Sequence, residues 1–268
     1  MTKTSSSKER QQGRGLWALG FSIGLVAAGC GSHEAVRVSL PVVVDGSGLA
    51  KVQTDLGYQV QMSLFRLAVK DLQFTVRGEM HASLLQRAAD LLVPSAYAHP
   101  GHYSGGDVTG ELPGTYVLDF NKDDGKALGK ASLITGAYQG SNFTFRKTGA
   151  ADSLASTDPL LGHTAYIEGQ ASRGGQVISF TAQVDVDEGS QLVGAPFAIE
   201  VTETTQASLG FKLLAQDPVL TKTLFDGIDF AALDPDGDGQ VALLPGQDAH
   251  NLLRRNVQVH DFYAITNR

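Results

Sequence analysis

Residues 57–65 read GYQVQMSLF: Tyr58, Val60, Met62 and Leu64 are apolar, and the residues between them, Gln59, Gln61 and Ser63, are polar. That period of two is what a strand with one buried face requires, because successive side chains leave a strand on opposite sides. Similar signals recur at 34–44, 67–76, 107–111, 115–120, 131–135, 142–146, 165–171, 176–186, 197–202 and 207–214, most of them bounded by glycine, proline or Asp-Gly turns. The runs 57–65 and 67–76 are adjacent and are expected to pair. No long amphipathic helix separates these segments, and parallel strands joined in succession need such crossovers. The expected fold is therefore mainly β, an antiparallel β-sandwich or open barrel. The 31 glycines suit many short strands and tight turns.

Helical spacing appears in three places. Residues 81–93 (HASLLQRAADLLV) place Leu84, Leu85, Ala88, Leu91 and Leu92 on one side and stop at Pro94, a short internal helix. A second short helix is expected at 218–225, and a C-terminal helix from about Gln247 to Val257 or beyond. Residues 151–162 look like a longer connection.

The front of the chain has a different character. Lys3, Lys8, Arg10 and Arg14 precede an uncharged apolar run, Leu16 to Ala28, and polar sequence resumes at Gly31. A basic head and about a dozen apolar residues are the anatomy of a secretory signal peptide; a spanning helix needs roughly 20. Val26-Ala27-Ala28-Gly29-Cys30 resembles the lipobox of bacterial lipoprotein precursors, with Ala27 where leucine is most frequent. The resemblance implies a signal peptide over 1–29, diacylation of Cys30 as the new N-terminus and a lipidated tether at 30–35; the strand signals make 36–268 a single β-rich domain. It places the protein at the bacterial cell envelope, anchored to a membrane by palmitate-type chains. Gly31 in place of aspartate implies the outer membrane, facing the periplasm or the cell surface. An ordinary secretory peptide with an incidental cysteine is the alternative.

Cleavage would remove four basic residues and one acid, Glu9, taking the formal charge from −7 to −10. So acidic a chain argues against nucleic acid as a partner and leaves another envelope protein as the macromolecular candidate. The sequence has one cysteine, so lipidation of Cys30 leaves no disulfide and no thiolate ligand.

Two stretches can carry chemistry. In Asp234-Pro-Asp236-Gly-Asp238-Gly239-Gln240, carboxylates at alternate positions of a curled loop converge on one cation, with a glycine after the third for the turn and the Gln240 carbonyl in seventh place. This resembles the first half of an EF-hand calcium loop. The pattern then departs, because position twelve is Pro245 rather than glutamate, and Asp229 and Asp248 are the nearby acids that could complete a shell. Calcium here would be structural; a metal-free loop of Asx turns is the alternative. The second stretch, Ala96-Tyr97-Ala98-His99-Pro100-Gly101-His102-Tyr103, sets two imidazoles on a turn, a start for copper or zinc outside the cytoplasm. Two ligands are too few, and His81, His163, His250, His260, Asp107 or Glu111 would have to supply a third. Otherwise this is a polar loop.

Leu118-Asp119-Phe120, residues 135–143 (TGAYQGSNF) and Leu161-Gly162-His163 are similar to strings in the periplasmic methanobactin-associated proteins linked to copper handling. The resemblance implies an extracytoplasmic β-domain lipoprotein. It carries no ligand across, because the sole tryptophan, Trp17, lies in the leader.

The sequence holds no GxSxG, HExxH or GxxxxGK[ST] motif. The expected function is a non-catalytic, metal-binding envelope lipoprotein. The alternative is an extracytoplasmic hydrolase whose site is assembled from distant residues.

Overall fold

The computed structural model describes residues 35–76 and 106–268, and the chain from Ala35 to Arg268 falls in one compact unit. It is mainly β, as the alternation predicts. The strands are β1 (Arg37–Asp45), β2 (Val52–Gln53), β3 (Gln59–Val76), β4 (Asp107–Asp119), β5 (Ala127–Ile134), β6 (Gly136–Phe145), β7 (Ala165–Arg173), β8 (Gln176–Val184), β9 (Gln191–Val201), β10 (Leu209–Leu213), β11 (Gln240–Leu243) and β12 (Tyr263–Asn267). Among the described residues one α-helix, α1 (Asp248–Val257), stands near the C-terminus. The expected internal helix at 81–93 lies outside the described residues.

Pairing runs β3–β4–β5–β1–β10–β12–β9–β6 and returns from β6 to β3, so these strands close a ring. β3 is long enough to serve two layers. Residues 69–76 pair with β6, whereas residues 59–67 pair with β7, which leads outward through β8 to β11 at the free edge.

Four local expectations change. Runs 57–65 and 67–76 do not pair with each other; they are one strand whose register slips between Met62 and Leu64 and again around Asp71. Asp71 takes a left-handed φ of 53° and accepts a hydrogen bond from Gly114 N at 3.1 Å, a bulge that re-aims the strand without ending it. Likewise 107–111 and 115–120 are the two ends of β4. Residues 218–225 form turns rather than a helix: Asp217 Oδ1 accepts from Val219 N at 2.7 Å, and Thr221 is left-handed. Finally, β1–β10, β8–β11 and β9–β12 are parallel pairs. Their members lie far apart in sequence, so the rest of the sheet supplies the crossover that a helix supplies in βαβ units.

Two aromatic clusters fill the core. Phe143 of β6 lies 5.1 Å from Phe211 of β10 and 5.0 Å from Tyr263 of β12. β6 neighbours neither β10 nor β12 in the ring, so its Phe143 meets their side chains inside it. The second cluster lies under the β7–β8 extension, where Phe180 is 5.0 Å from Phe230 and 5.3 Å from Phe225, and Tyr58 is 5.3 Å from Phe230. Gly169 sits opposite Phe180 on β7, and its missing Cβ is the space that ring occupies.

Candidate metal centre

The second cluster positions the aspartate loop. Phe230 is fully buried, and hydrogen bonds from Leu233 N to the Phe230 carbonyl (3.2 Å) and from Asp234 N to the Ala231 carbonyl (3.3 Å) carry the chain round a turn into Asp234. Beyond the loop, Val241 and Leu243 are buried and alternate with exposed Gln240 and Ala242, which docks β11 on β8. Between these anchors the chain turns sharply at Gly237 (φ 70°) and Gly239 (φ 75°), conformations that suit glycine.

Within this frame the carboxylates of Asp234, Asp236 and Asp238 converge, each offering an oxygen within 4.8 Å of the others. Among the described residues this is the one group of histidine, cysteine, aspartate or glutamate side chains close enough to share an ion. Asp236 and Asp238 face solvent, whereas Asp234 is only 6% exposed. Asp234 Oδ2 accepts a hydrogen bond from Gly239 N at 3.2 Å, but its Oδ1 is buried and has no partner. Such an oxygen costs about 1–3 kcal/mol if nothing compensates it. Asp238 Oδ1 accepts from Gln240 N at 2.8 Å, which fixes the end of the loop.

The Gln240 carbonyl is turned away from the sheet. Ser179 N donates to the Gly239 carbonyl at 2.8 Å, and carbonyls alternate direction along a strand, so that of Gln240 points away from β8 towards the free edge. Of the four sequence-predicted donors, Asp234, Asp236 and Asp238 are brought together, and Gln240 follows them as the first residue of β11. The suggested reserve acids do not join them. Asp229 accepts from Tyr58 Oη at 2.5 Å and from Arg173 Nη2 at 3.4 Å, and the Tyr58 hydrogen bond holds its carboxyl below the ordinary aspartate range. Asp248 lies in the first turn of α1, where the helix dipole favours an acid.

The described histidines stay apart. His163 Nδ1 lies 3.1 Å from Asp185 Oδ1, which Lys147 Nζ also approaches at 3.3 Å, and among the described residues no hydroxyl hydrogen-bonds the ring. His250 is buried on α1 with Nε2 2.9 Å from the Gln183 carbonyl, so that nitrogen is the donor. His260 lies beside Asp261. The copper or zinc candidates His99 and His102, like Cys30 and the leader, lie outside the described residues.

Sequence reasoning missed Ser179 and Thr181 of β8, which lie alongside Gln240 and Ala242 on an exposed face. Their alternation with Ile178, Phe180 and Ala182 marks that face, but nothing local announces β11 as its neighbour. No family model, curated protein or solved structure matches the chain.

Proposed function

We propose that this is a non-catalytic envelope lipoprotein, anchored through Cys30, whose β domain binds one calcium ion at Asp234, Asp236, Asp238 and the Gln240 carbonyl. The observation that carries the metal reading is the buried Oδ1 of Asp234, unpartnered within a convergence of three carboxylates. A cation relieves both the missing hydrogen bond and the mutual repulsion. All four donors are oxygens, which suits calcium or magnesium rather than zinc or copper. Magnesium demands near-ideal octahedral geometry and is usually held by only one or two carboxylates, whereas calcium accepts an irregular shell of several carboxylates and a backbone carbonyl, so three aspartates with a carbonyl suit calcium, with an affinity of order 10⁻⁴–10⁻³ M as in extracellular modules. Bound there, the ion ties the chain leaving Phe230 to the edge strand β11. Support for the anchor comes from the sequence: the basic head, the apolar run and the small residues before Cys30.

Two measurements test this reading. Isothermal titration of the purified protein with calcium chloride is expected to show one saturable site; absence of heat together with an unchanged melting temperature would remove the metal. Cells fed labelled palmitate are expected to label the wild-type protein and not a Cys30→Ser variant. An unlabelled wild type with its leader attached would remove the anchor.

A further inference from the structure

A shallow groove of about 300 Å³, lined by Ser179, Phe180, Thr181, Gln240, Val241 and Ala242, adjoins the loop. Gln240 belongs to both. In the parallel pairing of β8 and β11, Gln240 lies opposite Ser179 and Ala242 opposite Thr181, and all four are exposed. The groove therefore carries two hydroxyls and a carboxamide, and none of its lining residues is charged. Val177, next along the same face of β8, is 53% exposed and adds an apolar patch.

Calcium takes six to eight oxygens. In the proposed site the loop supplies one from each aspartate and one from the Gln240 carbonyl, and among the described residues no fourth carboxylate joins the cluster. At least two coordination positions are thus left for oxygens from outside, on a loop whose Asp236 and Asp238 are exposed. Charge decides which oxygens. Three carboxylates around a divalent cation leave one net negative charge, which repels a carboxylate or phosphate ligand and accepts neutral donors. Two neutral oxygens held on adjacent atoms are a vicinal diol.

From the uncharged groove and the unfilled shell we infer that the calcium-loaded loop binds a neutral saccharide, with a vicinal diol on the ion and neighbouring hydroxyls hydrogen-bonded to Ser179, Thr181 and Gln240. The inference rests on the calcium reading and adds the ligand class to it. Val177 would then meet the C–H face of a sugar ring. Groove and loop have separate tasks: the aspartates hold the ion whether or not sugar is present, and the β8 hydroxyls touch only sugar.

The full chain is passed over immobilised mannan in millimolar calcium, with immobilised polygalacturonate in parallel, and calcium titrations accompany each variant. Wild type is expected to be retained on mannan and released by EDTA. The variant Ser179→Val/Thr181→Val keeps the strand propensity of β8 and should keep its calcium isotherm while losing about tenfold in mannan affinity, the order expected for two lost hydrogen bonds. Asp236→Asn should lose both activities. Calcium binding without mannan retention would overturn the saccharide inference and leave the metal site standing; no calcium binding would overturn both. Retention that survives EDTA, or preference for polygalacturonate, would also overturn the inference, because either result removes the neutral diol from the ion.

Discussion

Replacing Asp234 by asparagine should change sign with calcium. In the metal-free protein Asp234 is a buried carboxylate with two others within 4.8 Å and an Oδ1 that accepts nothing. At that spacing each carboxylate pair repels by about 1 kcal/mol even at the dielectric of bulk water, so neutralising Asp234 removes about 2 kcal/mol before salt screening. Asparagine keeps an oxygen for Gly239 N, and its amide can turn an NH₂ towards the other two carboxylates. In EDTA the variant should therefore melt higher than wild type. With calcium at a hundred times its dissociation constant, wild type gains about 2.7 kcal/mol from binding. For a domain of this length, 1 kcal/mol moves the melting temperature by about 2–4 °C. The wild-type curve should rise by about 5–10 °C on adding calcium, the variant curve should barely move, and the order of the two should invert. Differential scanning calorimetry in EDTA and in calcium reads this directly. If the variant were destabilised equally in both buffers, the carboxylates would be turn-forming residues only, and the electrostatic reasoning would be refuted.

Asp152 pairs with Arg146 inside the protein, with side chains 9% and 8% exposed and Arg146 Nη1 2.9 Å from Asp152 Oδ2; the hydrogen bond from the guanidinium holds the Asp152 carboxyl below its ordinary range. Asp152→Asn should cost about 3–5 kcal/mol at neutral pH. Because the folded value lies below the unfolded one, the stability is present above about pH 4 and is lost as pH falls through the folded value. Thermal melts should thus show the wild-type advantage shrinking in acid, and a constant gap would contradict the assignment. A Cβ on Gly169 would lie 2.6 Å from Phe180 Cζ and 2.7 Å from the Gln61 carbonyl oxygen. Gly169→Ala should destabilise by about 1–3 kcal/mol or more, and Phe180→Leu should fail to restore it fully because the carbonyl remains. An unchanged urea midpoint for Gly169→Ala would show that this packing is looser than described.

What the sequence made legible is what is local. The aspartates are spaced two apart with glycines at the turns, so their convergence depends on a few backbone dihedrals, and the loop folds as its spacing implies. The strand content was legible for the same reason. Where a strand bends, alternation misleads: the register slip at Met62–Leu64 shifts the phase of the pattern, and one long strand then looks like two. At 218–225, Leu224 and Phe225 turn inward while Val219 and Leu220 stay exposed, a split that helical spacing and turns can both produce; Asp217 decides it through its bond to Val219 N.

Ring closure and the parallel pairs have no local signal at all. Val44 and Phe211 become neighbours only because everything between them has folded. That distinction runs through the centre of the candidate site. Asp234 to Gln240 can be read along the chain, but the groove exists because β11 docks beside β8, and Ser179 and Gln240 are far apart in sequence. The docking is short, four residues on an open edge, anchored by Val241 and Leu243 on one side and by the loop's own turn on the other. An ion that tightens that turn therefore also holds together the surface on which we place the sugar. Loss of calcium should weaken the groove as well as empty the shell, so saccharide binding should fall more steeply with falling calcium than occupancy of a preformed site alone would require.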